Sequence, residues 1–215
     1  MTAQQWEYPV GRARLVLPQG AWESLDTANE AVTLLPEPNG QISLQTRLVA
    51  LRGAQGQLLA VLRVQTNRTN EREPAVHWTG SCPPQQGVFV DDVTAGSRVR
   101  QDCLRLKRWV HGTQWLNQNH PAFARALQTH GLTLGQPHSH IHHHYTTASG
   151  AMVTVDALID QRLLTPPVRT NEDFLVAGRP ALQWGHDLAR AVRVSTGMMD
   201  GYLAIPPFPF AAPGS

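Results

Sequence analysis

The sequence predicts an α+β fold, a mainly antiparallel β-sheet with two principal helices packed on it. Three observations lead there. Segments of period two recur in pairs around short glycine-bearing loops, the pattern of β-hairpins. Two later segments change to helical period, each with a proline near its start. The strands follow one another as hairpins rather than as βαβ units, which favours antiparallel pairing.

Taken in order, Arg12 to Leu17 is a short strand ended by Pro18. Trp22 to Glu37 has no clear period and runs into the turn-forming Pro36-Glu37-Pro38-Asn39-Gly40. In Ile42 to Arg52, Ile42, Leu44 and Leu48 share one face and Ser43, Gln45 and Arg47 the other. Gly53 to Gly56 then links this strand to Leu58–Thr66 as a hairpin. Asn67 to Pro74 is polar and predicts an exposed loop, and Asn67-Arg68-Thr69 is a glycosylation sequon. A short strand is expected at Val88-Phe89-Val90. Another spans Val99 to Val110, with Leu104 and Leu106 opposite in direction to Cys103, Arg105 and Lys107. Pro121 opens a helix whose stripe is Ala122, Phe123, Ala126, Leu127 and His130, and Gly131 stops it. Thr170 and Asp173 form a capping box for a short turn. A second helix runs from about Pro180 to Thr196, with Ala181, Gly185 and Ala189 small enough for close approach to a sheet. Residues 1–204 read as one domain and 205–215 as an extended tail, in which Ile205, Phe208 and Phe210 are candidate contacts for a partner.

The composition is that of a globular chain: 215 residues, 41% apolar and 16% charged. A net charge of +2 gives no electrostatic footprint for nucleic acid. No apolar run is long enough for a transmembrane helix, and Met1 to Trp6 lacks the apolar core of a signal peptide. The two cysteines are Cys82, in a turn-rich loop, and Cys103, on the polar side of its strand. They suit a disulfide, which points to an exported, oxidising location. The alternative is two unrelated buried thiols.

The most distinctive segment is His-Ser-His-Ile-His-His-His-Tyr at 138–145. In a strand, His138, His140, His142 and His144 share a face, and Ser139, Ile141, His143 and Tyr145 the other. The partner strand carries Val153, Val155, Ala157 and Ile159 on one face and Thr154, Asp156 and Leu158 on the other. Superposing the apolar faces sets Tyr145 near Val153, His143 near Val155, His142 opposite Asp156 and His144 opposite Thr154. The loop is then Ala148-Ser149-Gly150, with glycine where a left-handed residue is needed. This gathers His140, His142, His144 and Asp156 on one side of a hairpin, a ligand set suited to zinc or copper. Successive same-face residues are about 6.6 Å apart, so two adjacent histidines reach one ion easily and three do not. The plainer reading of the row is a polar, solvent-facing side of an antiparallel sheet.

No phosphate loop, dinucleotide glycine pattern, His-Glu-x-x-His or nucleophile elbow occurs. The acidic pairs Asp91-Asp92 and Glu71/Glu73 read as solvated turn residues, and His111, His120 and His186 as surface or capping residues. Met198-Met199 reads as packing or a flexible end, and most of the six tryptophans as core.

Gln65-Thr66-Asn67-Arg68-Thr69-Asn70, Trp78-Thr79-Gly80-Ser81-Cys82-Pro83, Asp102-Cys103-Leu104-Arg105 and Val194–Gly201 resemble stretches of exported proteobacterial proteins without assigned function. That resemblance implies a periplasmic or secreted location and a paired Cys82–Cys103. The order of sheet and helices is similar in layout to PsbP/Mog1-like sandwiches, which are binding or assembly proteins. The favoured expectation is therefore a non-enzymatic exported domain that binds a protein partner in the cell envelope. A zinc or copper protein using the histidine row is the second, and a hydrolase with a site assembled from distant residues is the third.

Overall fold

The computed structural model describes residues 6–35, 40–70, 75–197 and 201–211. The fold is α+β. Its main sheet is built from β3 (Ala21–Leu35), β4 (Gln41–Arg52), β5 (Leu58–Asn67), β6 (His77–Trp78), β7 (Val90–Gly96), β8 (Gln101–Val110), β9 (His138–Thr146) and β10 (Met152–Asp160). The spatial order is β6-β3-β4-β5-β10-β9-β8-β7, and every neighbouring pair is antiparallel. A small second sheet, β1 (Trp6–Val10), β2 (Ala13–Leu17) and β11 (Tyr202–Ala204), has β2 in the middle and β11 parallel to it.

The long hairpins lie where their alternation puts them. Gly56 turns the β4–β5 loop at φ +76°, and Gly150 turns the β9–β10 loop at φ +84° with Thr147 and Ala151 hydrogen-bonded beneath it. The β9–β10 register pairs Tyr145 with Val153, His143 with Val155, His144 with Thr154 and His142 with Asp156. That is the register the apolar faces require.

Both faces of the main sheet are covered. On one, Val49, Leu62, Val64, Leu104, Leu106, Ile141 and Val155 form a core with the small sheet and the helix α5 (Arg179–Gly197). Gly185 of α5 sits over Leu104 and Ile141, the close approach expected of its small stripe. On the other face, Leu48, Ala50, Val61 and Leu158 pack against Leu116, Phe123 and Leu127 of α1 (Gln114–Asn119) and α2 (Pro121–Thr129). Two short helices complete the chain, α3 (Gln161–Leu164) and α4 (Asn171–Val176). The Thr170–Asp173 capping box starts α4, which ends before Pro180.

Several expectations are corrected. The region from Trp22 is a long strand whose outward side chains are mostly exposed, so burial leaves no period in it. The strand near residue 89 begins at Val90, and Asp91 and Asp92 lie on it rather than in a turn. Residue 67 is not loop. Asn67 ends β5, buried, with Nδ2 donating to the Gly150 carbonyl at 2.7 Å and Oδ1 accepting from the Met152 N–H at 2.7 Å. Its carboxamide clamps the neighbouring hairpin and is not free for a glycan. Glu71, Glu73, Met198 and Met199 lie outside the described residues.

Cys82 and Cys103 form a disulfide with Cα atoms 6.3 Å apart. Cys103 is buried, not surface-facing, because the loop carrying Cys82 covers its side of β8. The C-terminal segment folds back on its own domain. Ile205 is in the core, and Trp184 Nε1 donates to the Pro206 carbonyl at 3.0 Å. The Phe208 ring stacks on Trp22 and Trp184 at centroid distances of 6.4 and 5.9 Å.

Candidate metal centre

The histidine face of β9 is largely covered, with His138 and His140 buried and His142 and His144 partly so. The α1–α2 hairpin lies across it, and the junction between the two helices is His120, whose side chain drops onto the row. Pro121 follows at the first position of α2, so the junction residue is kept out of helical geometry and its ring is turned towards the sheet. His140 is 1% exposed and Asp156 4%. The His120 and His142 side chains keep 10% and 14% of their surface.

One carboxylate oxygen organises the site. Asp156 Oδ1 lies 2.8 Å from His142 Nδ1, 3.2 Å from His140 Nε2 and 3.3 Å from His120 Nδ1. Asp156 Oδ2 faces the Arg63 guanidinium at 3.6 Å, and Arg63 in turn reaches Glu30 at 3.5 Å. Beside Arg63 a cleft of about 190 Å³ opens, lined by Asp26, Glu30, Thr46 and Arg125 among others.

Of the four residues singled out from the sequence, three converge and one does not. The donor atoms of His120, His142 and Asp156 all lie within 4.8 Å of one another. His140 touches the same carboxylate and is packed among the rings of Trp115, Phe123 and His120, edge-on to the first and tilted to the others. His144 is closed off by its own partners, Thr154 Oγ1 at 2.7 Å and Gln101 Oε1 at 2.8 Å. A carbonyl-type oxygen accepts only, so His144 donates from Nε2 and accepts the threonine hydroxyl at Nδ1. His138 bonds the Gln136 carbonyl at 2.7 Å, away from the cluster. His120 is the residue that sequence spacing missed. It stands twenty-two residues before His142, and only its place just before Pro121 hinted at a fixed conformation.

Burial and the shared carboxylate set the protonation of the site. Burial pushes His140 down to about 4 and His144 down to about 3. Burial also lowers His120, against the opposing pull of Asp156. Burial alone would raise the Asp156 carboxyl. The His142 charge and the hydrogen bonds from all three imidazoles instead hold it well below the usual carboxylate range. At neutral pH His120 and His140 are uncharged and Asp156 is ionised.

A second histidine–aspartate pair lies on the opposite face. His143 Nε2 is 3.0 Å from Asp102 Oδ1, and Arg193 of α5 grips the same carboxylate at 2.8 and 2.9 Å. It ties α5 to β8 and β9, and Asp102 is held at about 2 by its His143 and Arg193 partners despite its burial.

No protein-family model and no curated protein matches the chain. Among solved structures the chain is similar to one described as a GntR-family transcriptional regulator, at 16% identity and a TM-score of 0.28. The match covers 66% of this chain and 55% of that one. The chain thus spans little more than half of that structure's length, and similarity of this order carries no argument about fold or function.

Proposed function

We propose that this protein binds one transition-metal ion, zinc or copper, between His120, His142 and Asp156, with His140 steadying the carboxylate. The observation that supports the reading is the convergence of imidazole nitrogens from two separate elements on one buried carboxylate oxygen. In a tetrahedral site with bonds of about 2.0–2.2 Å, neighbouring donor atoms stand about 3.3–3.5 Å apart. The Oδ1 distance to His120, 3.3 Å, matches that edge length, and the 2.8 Å to His142 is a hydrogen-bond distance that an ion would have to open. Three protein ligands leave one position open, as in sites that exchange a ligand rather than in closed structural sites. The role is one of metal binding in an exported domain. The Cys82–Cys103 disulfide supports an oxidising compartment such as the cell envelope. Ile205 and Phe208 are engaged within the domain, so partner capture by the C-terminal segment is a weaker reading.

Titration calorimetry on tag-free, chelator-stripped protein tests this. One ion should bind per chain, at least a hundred times tighter than to a free 138–145 peptide. His120→Ala and His142→Ala should each abolish that advantage, and His144→Ala should keep it. Affinity equal to the peptide's, or unchanged by His120→Ala, overturns the proposal.

A further inference from the structure

Gln85 stands behind His120, on the ring nitrogen that does not face Asp156. Its position is fixed before its side chain is considered. Cys82, three residues earlier, is bonded to Cys103 of β8. The Gln85 N–H donates to Asp91 Oδ2 at 2.8 Å, and Arg105 holds both Asp91, at 2.9 Å, and the Pro83 carbonyl. The Gln85 carboxamide nitrogen then lies 3.2 Å from His120 Nε2, while its oxygen is buried with no hydrogen-bond partner among the described residues.

An amide nitrogen only donates. With the nitrogen towards His120 the buried Oε1 has no partner among the described residues, and a half-turn about the last bond of the side chain exchanges the two atoms and moves nothing else. Oε1 then accepts from Nε2–H, the buried oxygen gains its partner, and Nδ1 can turn a lone pair towards an ion beside Asp156 and His142.

We infer that Gln85 is a positioning residue of the metal centre, its amide oxygen holding the His120 Nε2–H so that Nδ1 is left for the ion. The inference rests on the reading of His120, His142 and Asp156 as metal ligands. Outer partners of this kind, which hold the far N–H of a ligand imidazole, typically change metal affinity by about 10- to 100-fold when removed. A residue that only accepts should serve the bound state at least as well as glutamine, and one that can do neither should fail.

Nitrogen-15 NMR of the ring and zinc calorimetry test this together. In the zinc-loaded protein the His120 proton should sit on Nε2. Gln85→Met should bind zinc about 10- to 100-fold more weakly, and Gln85→Glu should bind it as well as wild type or better. Both variants should match the wild-type melting midpoint without metal, so that lost affinity is not lost folding. A His120 proton missing from Nε2 in the zinc-loaded protein overturns the inference. So does Gln85→Met binding as wild type, or Gln85→Glu failing as badly as Gln85→Met. Wild type that takes up no zinc or copper overturns the metal reading itself, whereas zinc uptake unaffected by Gln85→Met overturns the role of Gln85 alone.

Discussion

His142 Nδ1 lies 2.8 Å from Asp156 Oδ1 across one rung of the β9–β10 ladder. What sets these two opposite each other is on the reverse of the same strands, where Ile141, Val153 and Val155 are buried in the core. A slip of one residue would expose that core and separate the pair in the same step. Site geometry and fold stability therefore share one register.

Asp156 is buried against three imidazoles and Arg63, so its removal leaves a guanidinium without its buried partner. Asp156→Ala should cost about 3–5 kcal/mol in urea unfolding with a chelator present. Asp156→Asn, which keeps the shape, should cost less, and both should lose tight zinc binding. A loss below about 1 kcal/mol for the alanine variant would contradict the burial argument.

Acid should destabilise the metal-free fold. His140 and His144 titrate at about 4 and about 3 when folded, below their ordinary 6.5, so the unfolded chain takes up their protons first. Their contribution is complete above pH 6.5 and drains away as pH falls towards 4 and 3. Asp102, held at about 2, acts in the same direction lower down, its contribution fading as pH falls below 3.8. Urea midpoints measured in chelator should fall between pH 7 and pH 5, and less steeply in His144→Leu. A level profile would contradict this.

Gly185 faces Leu104 and Ile141, where an added methyl would sit at ordinary contact distances of 3.5–3.7 Å. The backbone there is plain α5 helix. Gly185→Ala should thus raise stability by about 0.5–1 kcal/mol, read from the shift in thermal midpoint.

Phe208 joins the rings of Trp22 and Trp184. Phe208→Ala should cost about 2 kcal/mol, the ring being only partly buried. The tryptophan emission should move to the red before global unfolding.

Removing the disulfide through Cys82→Ala/Cys103→Ala frees a loop whose ends are 21 residues apart in sequence. About 3 kcal/mol of stability should go with it, on the chain-entropy account. Zinc affinity should fall as well, because Gln85 is carried on that loop.

The hairpins, the two main helices, the capping box and the His142–Asp156 pairing are all legible in the sequence, because period, turn glycines and matched apolar faces act over short distances. What covers the histidine row is not. His140 is buried by Trp115 and Phe123, residues of a separate helical hairpin whose landing place no local pattern encodes. The same tertiary contact brings in His120 and turns a row that reads as solvated into an enclosed one. The exclusion of His144 is equally hidden, since Gln101 reaches it from a neighbouring strand. Trp22 to Leu35 was unreadable for a simpler reason: most of its side chains face water, so nothing constrains their polarity.

The small sheet has one more implication. β1 and β11 flank β2, which sets Trp6–Val10 and Tyr202–Ala204 one strand apart in the same sheet. The residues beneath them belong to the core shared with α5, on the reverse of the histidine face. A reporter or immobilising handle joined just ahead of Trp6 would be anchored at that sheet. Surface capture through such a handle should leave the histidine side facing the bulk phase, free to exchange ions during a binding measurement.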